Sequence, residues 1–378
     1  MKLQQLETPC LLLDEAKLET NVARLRAHLD LLGVALRPHL KTAKSIDVAR
    51  RVLRHPADPI TVSTLREAEY FFGHGIRDIL YAVGLTPNKL AHVTALRERG
   101  AQLSVILDNI EAAEAVSAHA KATADRIPVL IEIDCDGHRS GIAPGDERTL
   151  LEVGHALARD ACELRGVMTH AGDSYNQGSV DGIKAAAIRE RDAVVNSANV
   201  LRAAGLPCPV VSVGSTPTAT FAEDLSGVSE VRAGVFMFFD LVMAGLGVCS
   251  VEDIAISVLG TIIGHRRDRG WIIVDAGWMA MSRDRGTARQ KLDQGYGLVC
   301  DALGRPYEDL ILADANQEHG IVALRPGARA ALPELPLGAQ LRILPNHACA
   351  TGAQHQAYQV VRSGADAISA TWPRIGGW

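Results

Sequence analysis

Between residues 34 and 235, short strand-like runs alternate with longer helix-like stretches, and this alternation limits the fold more than any other feature of the chain. The strand-like runs are Val34-Leu40, Ile60-Thr64, Ile79-Val83, Leu103-Leu107, Val129-Asp134, Leu164-His170, Val210-Ser215 and Glu230-Val235. Helical spacing is carried by Ser45 to Leu53, with Ser45 as its cap, then by Leu65 to Gly73, Lys89 to Arg99, Asn109 to Ala122, Glu147 to Ala158, Ile183 to Ala204 and Ala219 to Leu225. A strand reaches a parallel neighbour only by a crossover, usually a helix. Eight such units predict a closed (β/α)8 barrel of the TIM type, an α/β fold.

The flanking regions have a different texture. Leu11-Leu12-Leu13 reads as a short strand, and Glu15 to Leu32 as a helix with Leu18, Val22, Leu25 and Leu29 on one face. Beyond residue 249, short β-rich runs at Ile254-Gly264, Trp271-Val274, Leu298-Asp301, Gly320-Ala323 and Gln340-Leu344 are separated by turn segments such as Asp268-Arg269-Gly270. The expected organisation is a barrel over 20–248 and a second, mainly antiparallel β domain from 1–19 and 249–378.

In a barrel of this kind the catalytic face lies beyond the carboxyl ends of the strands. The first strand ends at Lys41, a candidate amine for a Schiff base with an aldehyde cofactor. The fifth leads to Arg139, which could reach a phenolate or carboxylate. The sixth ends in His170-Ala-Gly-Asp-Ser-Tyr175, an imidazole to lie against a heteroaromatic ring and a phenol to hydrogen-bond it. The seventh ends in Gly214-Ser215-Thr216 and the eighth in Arg232-Ala-Gly234-Val235. Loops after strands seven and eight are the usual phosphate site, because small residues let backbone N–H groups approach the oxygens. Singly, each has a plainer reading: a solvated lysine, a core histidine, an ordinary turn, an arginine paired with Glu230. Their coincidence at one edge points to pyridoxal 5'-phosphate.

Charge and composition exclude several other classes. Thirty-nine basic and 44 acidic side chains leave a net charge of -5 without a basic stripe, so nucleic acid is not an expected partner. No run is long and apolar enough to cross a bilayer and the N-terminal segment has no apolar signal core, so no membrane partner and a cytoplasmic location are expected. Seven scattered cysteines without a Cys-x-x-Cys pair disfavour a disulfide framework.

The motifs Arg37-Pro-His-Leu-Lys-Thr42, His138-Arg-Ser-Gly141, His170-Ala-Gly172, Val213-Gly-Ser-Thr216, Val274-Asp-Ala-Gly277, Gln317-Glu-His-Gly320 and Pro345-Asn-His-Ala-Cys349 span nearly the whole chain. Together they resemble the fold-type III pyridoxal phosphate enzymes of the D-serine dehydratase and D-threonine aldolase family, whose barrel is similar to that of alanine racemase. Asp275 to Lys291 resembles the bacterial D-threo-3-hydroxyaspartate dehydratase branch in particular. The resemblance implies that Lys41 is the Schiff-base lysine and that Tyr175, Thr216, Gly234 and Val235 contact the cofactor. It also implies a homodimer whose second domain closes over the barrel, and an Arg232 beside the pyridine nitrogen.

His347 and Cys349 follow a strand-like run, and on an extended backbone residues two apart share a face, so imidazole and thiolate could bind one ion; taken without the resemblance, two such residues read as a chance pair. Nitrogen with sulfur favours zinc, with manganese, cobalt or magnesium as alternatives. The matching family position holds a catalytic divalent metal, and in the family cysteine there accompanies dehydratases whereas aspartate accompanies aldolases. The activity so implied is loss of water from a D-β-hydroxy amino acid, namely D-threo-3-hydroxyaspartate, D-serine or D-threonine, giving a 2-oxo acid and ammonia. The alternatives are retro-aldol cleavage to glycine and an aldehyde, and a non-catalytic pyridoxal phosphate carrier. A second carboxylate on the substrate would need a cation, for which Arg283, Arg285, Arg289 and Lys291 are candidates; a solvated loop is the other reading.

Overall fold

The computed structural model describes residues 1–137, 139–159 and 162–378. It divides into two compact units, one of residues 24–234 with 377–378, the other of 1–23 with 235–376.

A strand β1 (Cys10–Asp14) and a helix α1 (Glu15–Leu31) come first, and the expected apolar face of α1, Leu18, Val22, Leu25 and Leu29, is buried. Eight parallel strands follow: β2 (Ala35–Leu36), β3 (Ile60–Val62), β4 (Asp78–Gly84), β5 (Gln102–Leu107), β6 (Pro128–Ile133), β7 (Glu163–Thr169), β8 (Val210–Val213) and β9 (Glu230–Val231). Each pairs with its sequence neighbour from β3 to β9, β9 pairs with β2, and a parallel bridge between His39 and Thr61 closes the ring. The crossovers are α2 (Ile46–Val52), α3 (Leu65–Gly73), α4 (Leu90–Glu98), α5 (Ile110–Thr123), α6 (Glu147–Ala158) and α7 (Val180–Ala203), with the short α8 (Thr216–Phe221) before β9. Leu80, Ile106, Leu130 and Met168, from four adjacent strands, form one apolar cluster. The barrel is therefore a packed core and not a pore.

Three local expectations need correction. The first and last barrel strands reduce to two paired residues each, because Pro38 and the turn at Leu40 break the first ladder and Ala233-Gly234 end the last. The helix expected from Ala219 begins three residues earlier, since the Ser215 hydroxyl accepts the Thr218 N–H and Pro217 fits its first turn. Ser45 occupies the cap position of α2, but its side chain does not cap; the Ile46 N–H instead donates to the Tyr70 hydroxyl (3.1 Å).

The other unit is built on β1 with β10 (Ile256–Arg266), β11 (Trp271–Val274), β12 (Gly297–Cys300), β13 (Pro306–Ala315), β14 (Gly320–Leu324), β15 (Gln340–Pro345), β16 (Ala357–Val361) and β17 (Ile368–Pro373). Its short helices are α9 (Leu241–Gly245), α10 (Trp278–Met281) and α11 (Ala348–Gly352). Strands β10, β11, β14, β13, β12 and β15 pair antiparallel in a closed ring, and β1, β16 and β17 extend the sheet from β10. The long β10 makes this possible. Its first half pairs with β15 and β1, a bulge between Ile262 and Gly264 bends it, and its second half pairs with β11. Strands β13, β16 and β17 were not expected. Polar residues interrupt the apolar ones in all three, and β13 also carries charges, as in Pro306-Tyr-Glu-Asp-Leu-Ile.

Candidate active site

At the carboxyl edge of the barrel, Lys41 lies exposed in the turn after β2. Its backbone N–H points to Nδ1 of His39 (3.4 Å), whose Nε2 lies 3.4 Å from the Ser63 hydroxyl. Burial, with the charges of Lys41 and Arg232, pushes the His39 pKa well below its ordinary value. The same holds for His170, where burial is reinforced by the charges of Arg139 and Lys41. Both rings are neutral at physiological pH. His170 donates Nδ1–H to the Gly214 carbonyl, and its ring centroid lies 6.4 Å from that of Tyr175.

Arg232 is buried and donates Nε–H to the Ser212 hydroxyl (2.8 Å) and Nη2–H to the Thr169 carbonyl. Glu230 is bonded to Arg37 (2.8 Å). Arg139 is half-exposed, 3.8 Å from Glu132. His138, part of the same motif, lies outside the described residues.

The turn after β8 is unusually tight. A Cβ on Gly214 would fall 1.9 Å from the Arg232 carbonyl oxygen, so only glycine fits. Ser215, Thr216 and Thr218 are buried behind it, and the Ser215 hydroxyl bonds those of Ser174 (2.9 Å) and Thr218 (2.8 Å). A Cβ on Gly234 would meet the His39 carbonyl at 2.9 Å and the Thr42 hydroxyl at 3.0 Å. Val235 follows it and opens a buried 3-10 turn. Sequence reasoning missed Glu190, a buried acid of α7 whose Oε1 accepts the N–H groups of Ala171 (3.1 Å) and Gly214 (2.9 Å). It ties together the loops after β7 and β8. A single glutamate on an amphipathic helix gives no sign of this.

In the other unit, β15 runs into Asn346 and His347. The backbone is not extended through both candidate ligands: His347 has extended angles, but Cys349 is in the first turn of α11. Side chains at such a junction can still meet, and His347 hydrogen-bonds Cys349 as well as Asp284, whose Oδ2 lies 2.6 Å from Nδ1. Burial opposes a charge on His347, but these partners and Asp240 override it and push its pKa up to about 11. Asp240 is buried beneath the turn and accepts the Ala348 N–H (2.9 Å). A half-buried imidazole and thiol within an acidic surround is a donor set suited to a divalent cation. Of the loop cations, Arg285 is paired with Asp293 (2.9 Å), Arg283 stacks on Trp278, and Arg289 and Lys291 are exposed.

A family model described as the alanine racemase N-terminal domain matches residues 13–242, and one described as a putative serine dehydratase domain matches 255–361. The D-threo-3-hydroxyaspartate dehydratase of Delftia sp. (strain HT23) is 54% identical over 375 residues, covering 99% of this chain and 98% of its own. The chain belongs to the D-serine dehydratase family. Another relative, a D-threonine aldolase of Arthrobacter sp, is 33% identical over 96% of this chain and 91% of its own. The solved structure of the Delftia dehydratase superposes with a TM-score of 0.96 at 53% identity over the whole of both chains. A cysteine-to-alanine variant of that enzyme, solved in a metal-free form, matches with the same score, identity and coverage. The family likeness thus covers the alanine racemase-like barrel and the closed antiparallel ring alike.

Proposed function

We propose that the chain is a pyridoxal phosphate- and divalent-metal-dependent dehydratase of D-β-hydroxy amino acids, with D-threo-3-hydroxyaspartate as its first candidate substrate. The observation that carries this reading is the His347–Cys349 pair in a chain 54% identical to a D-threo-3-hydroxyaspartate dehydratase. The relative solved metal-free is a cysteine variant, which supports a thiolate among the ligands here.

Lys41, exposed on the barrel edge, is the amine that would carry the cofactor and act as the base for the substrate's α-proton. The tight turn at Gly214, the hydroxyls of Ser215 and Thr216, and the Gly234-Val235 backbone form a cradle of small groups suited to a phosphate. His170 and Tyr175 are the aromatic groups for the pyridine ring. Arg139 is the cation for its phenolate oxygen. Arg232 has only donors to offer, so as partner of the ring nitrogen it favours the unprotonated ring. Bound pyridoxal phosphate supplies withdrawal of electrons from the α-carbon, and such a ring does so weakly. A divalent ion held by His347 and Cys349 supplies Lewis acidity at the β-hydroxyl, a poor leaving group. Manganese, cobalt or magnesium could serve, and zinc suits the donors best.

Net, the reaction loses one water in elimination and regains one when the released enamine hydrolyses, leaving a 2-oxo acid and ammonium. Retro-aldol cleavage would begin from the same substrate. Incubation of the holoenzyme with D-threonine separates the two: 2-oxobutyrate with ammonia is expected, whereas glycine with acetaldehyde would assign the aldolase activity. A parallel panel of D-serine and D-threo-3-hydroxyaspartate ranks the substrates.

A further inference from the structure

Asp284 lies in the loop after α10, and the protein fixes it in place through the residue that precedes His347. The Asn346 side chain donates to the Asp284 carbonyl (3.1 Å) and to the Gly295 carbonyl (2.8 Å), while its Oδ1 accepts from Thr287 (3.2 Å). The Asp284 N–H donates to the Ser282 hydroxyl (3.2 Å), and the Thr351 hydroxyl of α11 donates to the Met281 carbonyl (2.5 Å). Asn346, Thr287 and Thr351 are buried. The loop carrying the acid and the turn carrying the imidazole are therefore locked in register by a buried polar network, ending in the 2.6 Å bond between Asp284 and His347.

We propose that Asp284 is the positioning residue of the metal centre, holding the His347 ring by its Nδ1–H so that Nε2 is the nitrogen presented to the ion. The inference rests on the reading of His347 and Cys349 as metal ligands. In a metal-bound imidazole one nitrogen is the ligand and the other keeps its proton, and the partner of the protonated nitrogen decides which is which. A carboxylate there fixes the tautomer, sets the ring plane and makes the remaining nitrogen a better donor. Asp284 is not itself placed as a ligand, because its oxygen is engaged on the opposite side of the ring from Nε2. Nor is it an ordinary surface ion pair. Such pairs hold two flexible side chains by charge alone, whereas here the backbones of both partners are fastened by Asn346.

Cobalt(II) binding to the pyridoxal phosphate-loaded, metal-stripped protein tests this. Cobalt uptake is followed by the thiolate-to-cobalt charge-transfer absorption and by competition with a chromophoric chelator. Asp284→Ala is expected to raise the cobalt Kd about 10- to 100-fold. Asp284→Asn, which keeps an acceptor but not the charge, should fall between it and the parent. At saturating cobalt the charge-transfer band should persist in both, with cofactor absorbance and melting temperature like the parent's. Parent-like Kd values in both variants would overturn the proposal. Should Asp284→Ala not fold, Asp284→Asn alone decides, an unchanged Kd again overturning it. A parent without the band, or a Cys349→Ala variant that keeps it, would instead refute the ligand reading, and this inference with it.

Discussion

Glu190 lies buried between two loops of the barrel edge, and its environment makes a stability prediction. Burial raises its carboxyl pKa above the ordinary 4.5, and hydrogen bonds from Thr218, Gly214 and Ala171 offset this only in part. The folded chain then binds this proton more tightly than the unfolded chain does. The stabilisation is complete below 4.5 and is lost as pH rises through the folded value. Glutamine keeps an acceptor for the two N–H groups and does not titrate. The melting temperature of Glu190→Gln, relative to the parent, should therefore climb as pH rises above 4.5. A difference that stays flat with pH would mean that the carboxyl is not perturbed. Lys41 makes a chemical prediction at the same scale: borohydride reduction of the pyridoxal phosphate-loaded protein should trap the adduct on this side chain. Lys41→Ala should lose it, along with about 10³-fold or more in turnover.

At the scale of elements, the loops after β7, β8 and β9 build the edge by close backbone approach, and Gly214 bears most of it. An added Cβ would strike the Arg232 carbonyl, a backbone atom that cannot rotate away. Gly214→Ala should cost about 3 kcal/mol of stability and weaken pyridoxal phosphate uptake more than Gly73→Ala, whose Cβ would meet nothing within 4 Å. Thermal denaturation and cofactor titration check both. The parallel strands were legible because they are buried on both faces and read as apolar runs, such as Val129 to Ile131. The sheet of the other unit was legible only in part. Strands such as β13 and β17 are for the most part only partly buried or exposed, and their polar residues blur the apolar pattern. Residue types with reactive side chains, Lys41, His347 and Cys349, also stood out. Glu190, Asp240 and Asp284 did not, since their roles come from partners 19 to 108 positions away, which local spacing cannot encode.

For the molecule as a whole, the question is whether the ion is part of the fold or only of the chemistry. Small metal domains unfold without their ion because its ligands are otherwise unconstrained. Here His347 and Cys349 sit on a strand-to-helix turn already fixed by Asn346, Asp240 and Thr351, within a closed ring of strands whose apolar residues, Val258, Ile272, Val299, Leu312, Val322 and Ile343 among them, are buried. Removing an ion bound there as proposed would therefore forfeit only its binding free energy, about 2.7 kcal/mol when it is present at a hundred times its Kd. Spread over a chain of 378 residues, that lowers the melting temperature by only a few degrees. On the proposed reading the cofactor would be held by Lys41 and the loops after β7, β8 and β9, which the chelator leaves untouched. Stripping the metal should thus abolish ammonia release from D-threo-3-hydroxyaspartate while leaving the cofactor absorbance in place and adding no unfolding transition to those of the metal-loaded protein. Loss of the cofactor colour with the metal, or a low-temperature transition that the metal-loaded protein lacks, would show that the ion is structural.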